Sequence, residues 1–379
     1  MEDKKQKRIV ARMKIRLNTI LIPFIILSPA AKAQENSSSL SFSAYTDVYY
    51  SYFSNEMEPN ALQPFTTVSP RSERFGLNVA QFGLAYDSQF VRANLTLHWG
   101  DIAKATWSED YNNVQEANLG FKFAEGWWID AGFFATHIGT ESFLPKNDFL
   151  SSTAVATYNE PFYQAGARLA YEGSDKFYSE FWVLNGYNRF LDNNNAKSIG
   201  VLFSYNLSEN TSLTYTNLLG TESAEGSAVK QYRIYQNLYI NTELTDRLIL
   251  IIGGDVGTQS NSRLPEMEKT ALMYNALTTL RYLFTDKWSV TGRAEVFNDK
   301  HGFISGLVPT QDSALEGLQL WGLTLGTEYK PAPNSYFRGE VRFLDLDDNA
   351  ALFSGNYNQH QRWELMITMG YQLDRVFGF

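Results

Sequence analysis

The sequence predicts an all-β fold, a transmembrane antiparallel up-and-down β-barrel of about 16 strands with short periplasmic turns and long extracellular loops. Three observations predict this fold. Large apolar and polar residues alternate in many segments, the connections between those segments alternate in length, and an export signal precedes them. After residue 33 no apolar run approaches the ~20 residues that a membrane helix requires. A membrane-spanning form must therefore be a closed barrel, because lipid does not tolerate open sheet edges.

The first 33 residues have the three parts of a secretory signal peptide. The segment KKQKRIVARMKIR is basic, LNTILIPFIILSPA is a short apolar run, and AKAQ places small residues at Ala31 and Ala33. We expect cleavage between Ala33 and Gln34, which makes residues 1–33 a removed signal peptide and residues 34–379 a single outer-membrane β-barrel domain. A retained membrane anchor is the alternative interpretation.

Period-two alternation over about ten residues defines the predicted strands. In SIGVLFSYNL, for example, Ile199, Val201 and Phe203 lie on one face, and Gly200 and Ser204 lie on the other. Sixteen such segments lie near residues 39–54, 75–86, 90–100, 115–124, 127–138, 162–172, 177–187, 198–207, 211–221, 231–242, 247–257, 271–284, 288–298, 318–330, 335–346 and 361–379.

The connections between these segments alternate between short and long. The short ones are DSQ, AEG, GSDK, LSEN, ELTD, FTDK and PAPN, and the long ones cover roughly residues 55–74, 101–114, 139–161, 188–197, 222–230, 258–270, 299–317 and 347–360. This rhythm is what sixteen strands with both ends on the periplasmic side require.

Large aromatic residues flank most of the short connections. The pairs are Tyr86 and Phe90, Phe123 and Trp127, Tyr171 and Phe177, Phe284 and Trp288, and Tyr329 and Phe337. A ring of aromatics at one height is typical of a barrel at a membrane–water interface. The alternative is a soluble β-sandwich, which would need a second sheet to cover its apolar face.

The opposite face of the predicted strands carries charged residues. A charge that faces lipid near the midplane costs about 2–4 kcal/mol for Arg or Lys, so this face should point inward. Sixteen strands are enough to leave an aqueous lumen. The charged lumen candidates outside the cluster described next are Arg92, Glu116, Lys122, Arg168, Glu180, Arg233 and Arg281.

Three consecutive predicted strands place charges of both signs on the inward face. We expect a pore-lining patch in which Arg293, Arg338 and Arg342 lie against Glu295, Glu328 and Glu340, with Gly322 and Gly326 leaving room for the arginines. Such a patch could set a transverse field that orients polar solutes. Alternatively, the ion pairs satisfy one another and stiffen the wall, although pairing in a wet lumen adds little stability.

The segment 137–161 is the longest connection and is apolar for a surface loop. It contains Ile138, Phe143, Leu144, Phe149 and Leu150. Because surface loops seldom expose so many apolar side chains, we expect it to fold into the lumen and narrow it. The alternative is a lid that packs on other loops at the rim.

Composition excludes several classes of protein. Without residues 1–33 the chain keeps 24 Lys and Arg against 39 Asp and Glu, a net charge of −15, which argues against nucleic-acid binding. There is no cysteine and there are only four histidines, so neither a disulfide framework nor a metal site is expected, and the function we favour requires no cofactor.

Four segments resemble the OmpL-like β-barrel porin family of Gram-negative outer membranes. They are DAGFFATHIGTESF (130–143), FWVLNGYNRFLDNNNAKSIGVLFSYNLSEN (181–210), GRAEVFNDKHGF (292–303) and FRGEVRF (337–343), and the resemblance covers most of the chain after residue 33. It implies a porin-like role in the outer membrane and brings no catalytic residues.

We therefore expect a porin, a water-filled channel for passive diffusion of small polar solutes, and not an enzyme. The acidic net charge favours cations, whereas the arginines of the patch could reverse that preference. A barrel hydrolase is the first alternative, with His98 and Asp101 or His137 and Ser142 as the pairs to consider, although neither pair lies in a G-x-S-x-G signature. A structural or adhesive barrel is the second alternative.

The last predicted strand places Trp363, Leu365, Ile367, Met369 and Tyr371 on the lipid side. Aromatics that follow, Phe377 and Phe379, are suited to the periplasmic interface. We expect Tyr371, Phe377 and Phe379 to act as an assembly signal for outer-membrane barrels. The expected partners are outer-membrane lipid and lipopolysaccharide, the barrel-assembly machinery and small polar solutes, and homo-oligomerisation is left open.

Overall fold

The computed structural model describes residues 38–192, 194–355 and 359–379. The predicted signal peptide, residues 1–33, and its cleavage site before Gln34 lie outside these ranges. Among the described residues, no helix has both the length and the apolar character needed to cross a bilayer.

Sixteen strands of the described residues form one closed antiparallel barrel, so the predicted fold class is confirmed. Counting all strands in chain order, they are β1 Ser39–Phe53, β2 Arg74–Asp87, β3 Val91–Trp99, β4 Val114–Ala124, β5 Trp127–Ala135, β6 Tyr163–Tyr171, β7 Phe177–Leu184, β8 Ser198–Ser208, β9 Thr211–Thr221, β10 Tyr232–Thr245, β11 Leu248–Gln259, β12 Ala271–Leu283, β13 Trp288–Asn298, β16 Gln319–Tyr329, β17 Ser335–Leu346 and β18 Gln361–Gly378.

The barrel closes by pairing of its last strand with its first. β18 runs antiparallel to β1, from Ser39 opposite Gly378 to Phe53 opposite Glu364. All other neighbours in the barrel follow chain order, with β16 paired directly to β13. The intervening β14 (Leu307–Pro309) and β15 (Leu315–Gly317) form a separate hairpin within a long loop, which the alternation pattern did not predict.

The strands expose one face and bury the other, as a two-residue period requires. In β12, Leu272, Tyr274 and Leu280 are exposed on the outside, whereas Met273 and Leu277 are buried inside. Because the exposed row is apolar, the outer surface suits lipid, and the inner surface carries the polar and charged side chains.

Three predicted strand ends differ from the structure by three residues, and the others differ by two or fewer. β5 ends at Ala135 and not at 138, because the N–H of Ile138 turns back to the Thr136 hydroxyl at 3.0 Å. β7 ends at Leu184 and not at 187, where Gly186 adopts a φ of 147° that favours glycine. β10 continues to Thr245, where the Thr245 hydroxyl accepts a hydrogen bond of 3.1 Å from the N–H of Leu248 and closes a tight turn.

The long connections contain helices that are too short to produce a recognisable helical periodicity in the sequence. Helix α1 spans Asp101–Thr106, helix α2 spans Val155–Asn159, and a 3₁₀ turn covers Pro145–Asn147. The last two lie within residues 137–161, which we call the inner loop.

Candidate functional site

The charged patch predicted on β13, β16 and β17 faces the barrel interior and is extensively paired. The Arg338 Nε lies 2.8 Å from Glu328 and the Arg342 Nη2 lies 2.7 Å from Glu295. Glu295 also lies 3.7 Å from Arg293. These strands are adjacent, and residues two apart share a face, so the pattern itself brings the six side chains together.

The inner loop covers this patch. Arg338 donates hydrogen bonds to three loop carbonyls, those of Pro145 at 2.8 Å, Asp148 at 2.7 Å and Leu150 at 3.1 Å. A guanidinium has five N–H donors, so one side chain can hold Glu328 and the loop backbone together. Arg338 is only 3% exposed as a result.

Glu340 holds the next part of the inner loop. Its carboxylate accepts hydrogen bonds from the backbone N–H of Ser151, from the N–H of Ser152 at 3.1 Å and from the Ser152 hydroxyl at 2.8 Å. Carboxylate acceptors form the stronger class of hydrogen bond with backbone N–H groups. Glu340 is therefore bound to the loop and not to an arginine of the patch.

Arg293 and Glu295 hold the returning part of the inner loop. Arg293 donates to the carbonyl of Ser152 at 2.7 Å and pairs with Glu141 at 3.0 Å. Glu295 accepts a hydrogen bond of 2.6 Å from the N–H of Val155, the first residue of α2. That N–H has no partner within the helix, so the wall carboxylate satisfies it.

The glycines of β16 leave space for side chains of the inner loop and of the neighbouring strands. A Cβ at Gly326 would meet Leu150 Cδ2 of the inner loop at 2.5 Å and the Glu340 Cγ at 3.0 Å. A Cβ at Gly322 would meet Leu344 and Glu295. The atoms nearest to these two positions thus include Leu150, Leu344 and the carboxylate side chains of Glu295 and Glu340.

These contacts change the interpretation of the patch. Its side chains point into the barrel, but they are buried beneath the inner loop and do not face open water. Each charge has an opposite charge or a loop backbone group as partner. The arrangement is suited to holding a loop at a fixed height in the lumen.

The inner loop also reaches the wall beyond β17, on β18 and β2. The hydroxyls of Ser151 and Thr368 on β18 lie 2.6 Å apart. On β2, Gln81 accepts a hydrogen bond of 2.6 Å from the Lys146 Nζ. The loop, which leaves the wall after β5, therefore spans the interior to β17, β18 and β2, in agreement with the expectation that it folds inward.

A second charged cluster occupies the wall between β3 and β7. Asp130 lies 2.6 Å from Arg92 and 2.8 Å from Arg168, and Arg168 lies 2.6 Å from Glu180. The Arg92 guanidinium also lies 4.5 Å from the ring centroid of Trp128. The alternation pattern predicted three residues of this cluster, Arg92, Arg168 and Glu180, but it did not predict Asp130.

The remaining lumen candidates lie on the inward face but apart from one another. Lys122 pairs with the exposed Glu125 at 3.1 Å, and Arg281 pairs with Glu328 at 2.5 Å. Arg233 donates to Gln259 at 2.8 Å near the extracellular ends of β10 and β11. Glu116 accepts a hydrogen bond of 3.3 Å from the N–H of Ala135 and another from Asn94.

Lys146 is a functional candidate that the sequence did not reveal. It lies in the 3₁₀ turn of the inner loop with its Nζ 4.9 Å from the ring centroid of Tyr45, and it forms no ion pair with any of the described residues. Burial lowers the pKa of Lys146 to about 8, against the opposing effect of Asp374 and Glu116. A loop lysine carries no periodic signal, so only the three-dimensional contacts identify it.

The residue pairs considered for hydrolysis are not assembled. The His98 Nε2 lies 3.1 Å from the Asn112 carbonyl, whereas Asp101 binds Tyr49 at 2.6 Å and Arg71 at 3.0 Å. His137 lies between Gln164 and the Asn217 carbonyl, at 2.7 and 2.9 Å. A nucleophile must lie within hydrogen-bond reach of its base, and no hydroxyl group of the described residues bonds to either histidine.

A closed barrel with an apolar exterior, a charged interior and a loop fixed across that interior defines the class of outer-membrane channel barrels. Residues 39–373 match the model of the family described as "Putative beta-barrel porin-2, OmpL-like". The chain belongs to this family, and it is therefore an outer-membrane porin and not an enzyme.

Solved structures share the fold at low sequence identity. The anion-selective porin from Comamonas acidovorans matches with a TM-score of 0.59 and 11% identity over 89% of this chain and 100% of that chain. The outer-membrane channel DcaP of Acinetobacter baumannii matches with a TM-score of 0.60 and 9% identity over 92% and 99%. OmpT of Vibrio cholerae, described as a trimer form, matches with a TM-score of 0.55 and 10% identity over 90% and 100%. No curated protein matches the sequence.

Proposed function

We propose that the chain forms a water-filled channel for passive diffusion of small polar solutes, with the inner loop as its constriction. The observation that carries this proposal is the attachment of the loop backbone to Arg338, Glu340 and Arg293 across the interior. A loop held by buried charged groups keeps a fixed height, and the width beside it sets the size of solute that passes.

The proposed path runs between the inner loop and the wall formed by β3 to β7. Lys146 extends from the loop on this side, and Arg92, Glu116, Arg168 and Glu180 lie on the wall. The wall charges are largely paired, so their fields cancel over short distances. Lys146, whose charge is not paired among the described residues, therefore contributes more to ion selectivity than any one of the paired wall charges.

In this proposal the six residues of the charged patch influence the channel by holding the inner loop in place. Arg293, Glu295, Glu328, Arg338, Glu340 and Arg342 fix the constriction, and their charges reach a passing solute only indirectly. Arg281, which pairs with Glu328 and lies 4.7 Å from the ring centroid of Phe149 in the inner loop, belongs with these six residues. Arg233 and Lys122 lie toward the two ends of the lumen.

The export and assembly of the barrel are also proposals. Cleavage between Ala33 and Gln34 would release residues 34–379 as the single barrel domain. The outward aromatics Tyr371, Phe377 and Phe379 on or next to the closing strand β18 are exposed and available to the barrel-assembly machinery. The apolar exterior would contact lipid and lipopolysaccharide, and copies of the chain would associate with one another.

Conductance of the purified protein in planar bilayers tests the proposed channel. We expect discrete conductance steps, together with uptake of small sugars and amino acids by proteoliposomes and exclusion of larger ones. A folded, heat-modifiable barrel that inserts without conductance would contradict the proposal and favour a structural barrel.

A further inference from the structure

Three adjacent strands lack the aromatic residue that the other barrel strands place near the periplasmic edge. Elsewhere among the described strands an outward aromatic lies there, on the strand or directly beside it, for example Phe90 before β3, Tyr205 on β8 and Tyr282 on β12. On β9, β10 and β11 the corresponding outward residues are Leu213, Leu244 and Leu248. Aromatics at this height anchor a protein to the lipid interface, so their absence indicates a surface that does not face lipid.

The same surface carries a chain of polar side chains at the height of the apolar band. The Asn217 Oδ1 accepts a hydrogen bond of 3.0 Å from the N–H of Val201, and the Asn217 Nδ2 donates to the Tyr215 hydroxyl at 3.1 Å. The Tyr215 hydroxyl donates to the Gln236 Oε1 at 3.1 Å. Asn217 and Tyr215 lie on the outer face of β9, since their neighbours Thr216 and Leu218 are buried inside.

Gln236 is the last residue of this series of hydrogen bonds, and its side-chain NH₂ group remains free to donate. It is exposed on β10 opposite Asn217 and Val256, and its Nε2 donates no hydrogen bond to any of the described residues. Ile234 and Leu238, the outward residues on either side of it, are apolar and 42% and 50% exposed. A carboxamide in this position would be unsatisfied in lipid, where acyl chains offer no acceptor.

We propose that the outer face of β9, β10 and β11 around Gln236 is the contact surface for a second copy of this chain. This inference rests on the proposed self-association and adds the surface that mediates it. A carboxamide has both a donor and an acceptor, so the polar groups of an identical chain can complete its hydrogen bonds. Headgroups of lipid or lipopolysaccharide are less suitable, because Ile234 and Leu238 separate Gln236 from both interfaces.

Photo-crosslinking at two outward positions tests the surface in the native outer membrane. A benzophenone amino acid replaces Gln236 in one protein and Ile367, an outward residue of β18, in the control. We expect an adduct of twice the monomer mass from position 236 and little or none from position 367. Equal dimer yields at both positions, no protein adduct at position 236, or an adduct with a different protein would overturn the proposal.

A substitution separates this surface from the channel itself. Gln236→Leu removes the polar end of the chain but leaves the lumen unchanged, so single-channel conductance should remain while the temperature at which the oligomer dissociates in detergent falls. If the unmodified protein showed no conductance, the proposed channel would be contradicted but the proposed contact surface would not. An unchanged dissociation temperature in Gln236→Leu would contradict the surface and not the channel.

Discussion

Arg338 is the residue that joins the barrel wall to the inner loop most extensively, through Glu328 and the carbonyls of Pro145, Asp148 and Leu150. Its ring neighbour is Tyr336, whose centroid lies 4.0 Å from the guanidinium carbon. Removal of one partner from a buried charged network leaves the others unsatisfied, which typically costs about 3–5 kcal/mol. A single arginine therefore decides how firmly the loop is held.

Arg338→Gln should loosen the inner loop. In a protein with cysteine in place of the buried Ser151, a charged thiol reagent added to the lumen should react at least about tenfold faster after the substitution, because the loop loses its strongest donor. The matched control is Arg375→Gln, which changes an exposed arginine of β18. Equal reaction rates in both variants would show that Arg338 does not hold the loop.

Lys146 should make ion selectivity depend on pH. Burial lowers its pKa to about 8, so the ammonium group is charged below that pH and neutral above it. The ratio of anion to cation permeability, measured as reversal potential in a salt gradient, should fall as pH rises through about 8. Lys146→Gln should lack this change, whereas Lys269→Gln, in an extracellular loop, should keep it. A pH dependence that survives in Lys146→Gln would contradict the assignment.

The inner loop is the element that fills part of the barrel interior. It follows β5, contacts β13, β17 and β18 through side chains of the wall, and returns to β6. Its apolar residues face other parts of the interior and so avoid water, as Leu150 does at Gly326. The position of the loop thus follows from charged anchors on one side and apolar contacts on the other.

A disulfide between the loop and β18 tests this position. The hydroxyls of Ser151 and Thr368 lie 2.6 Å apart, and the chain has no cysteine, so Ser151→Cys with Thr368→Cys offers one pair that can bridge. We expect spontaneous oxidation with conductance equal before and after reduction. Ser151→Cys alone is the control. Failure to oxidise, or a marked change in conductance on reduction, would show that the loop normally lies elsewhere.

On the scale of the whole molecule, much of the barrel could be predicted because its signals are local. A period of two residues identifies each strand and both of its faces, and the alternating lengths of the connections determine strand number and orientation. Arg338 and Glu340 could be assigned to the inner face on this basis alone.

The contacts of the inner loop could not be predicted from the sequence. Pro145 and Arg338 are almost two hundred residues apart, and nothing in the local pattern of either indicates the other. Lys146 and Glu141 belong to a loop without periodicity, so their roles depend on where the loop folds. Asn217 and Gln236 are polar residues on outward, mostly apolar faces of β9 and β10, and the alternation pattern gives no reason for their presence there.

Single-channel conductance of a protein without residues 142–156 tests most directly whether the inner loop is the constriction. The control lacks residues 224–228 of the exposed connection between β9 and β10, and both proteins must first be shown to be folded by heat-modifiability. We expect the loop deletion to raise conductance and the size limit for solutes, whereas the control should match the unmodified protein. Unchanged conductance after removal of the inner loop would contradict the account.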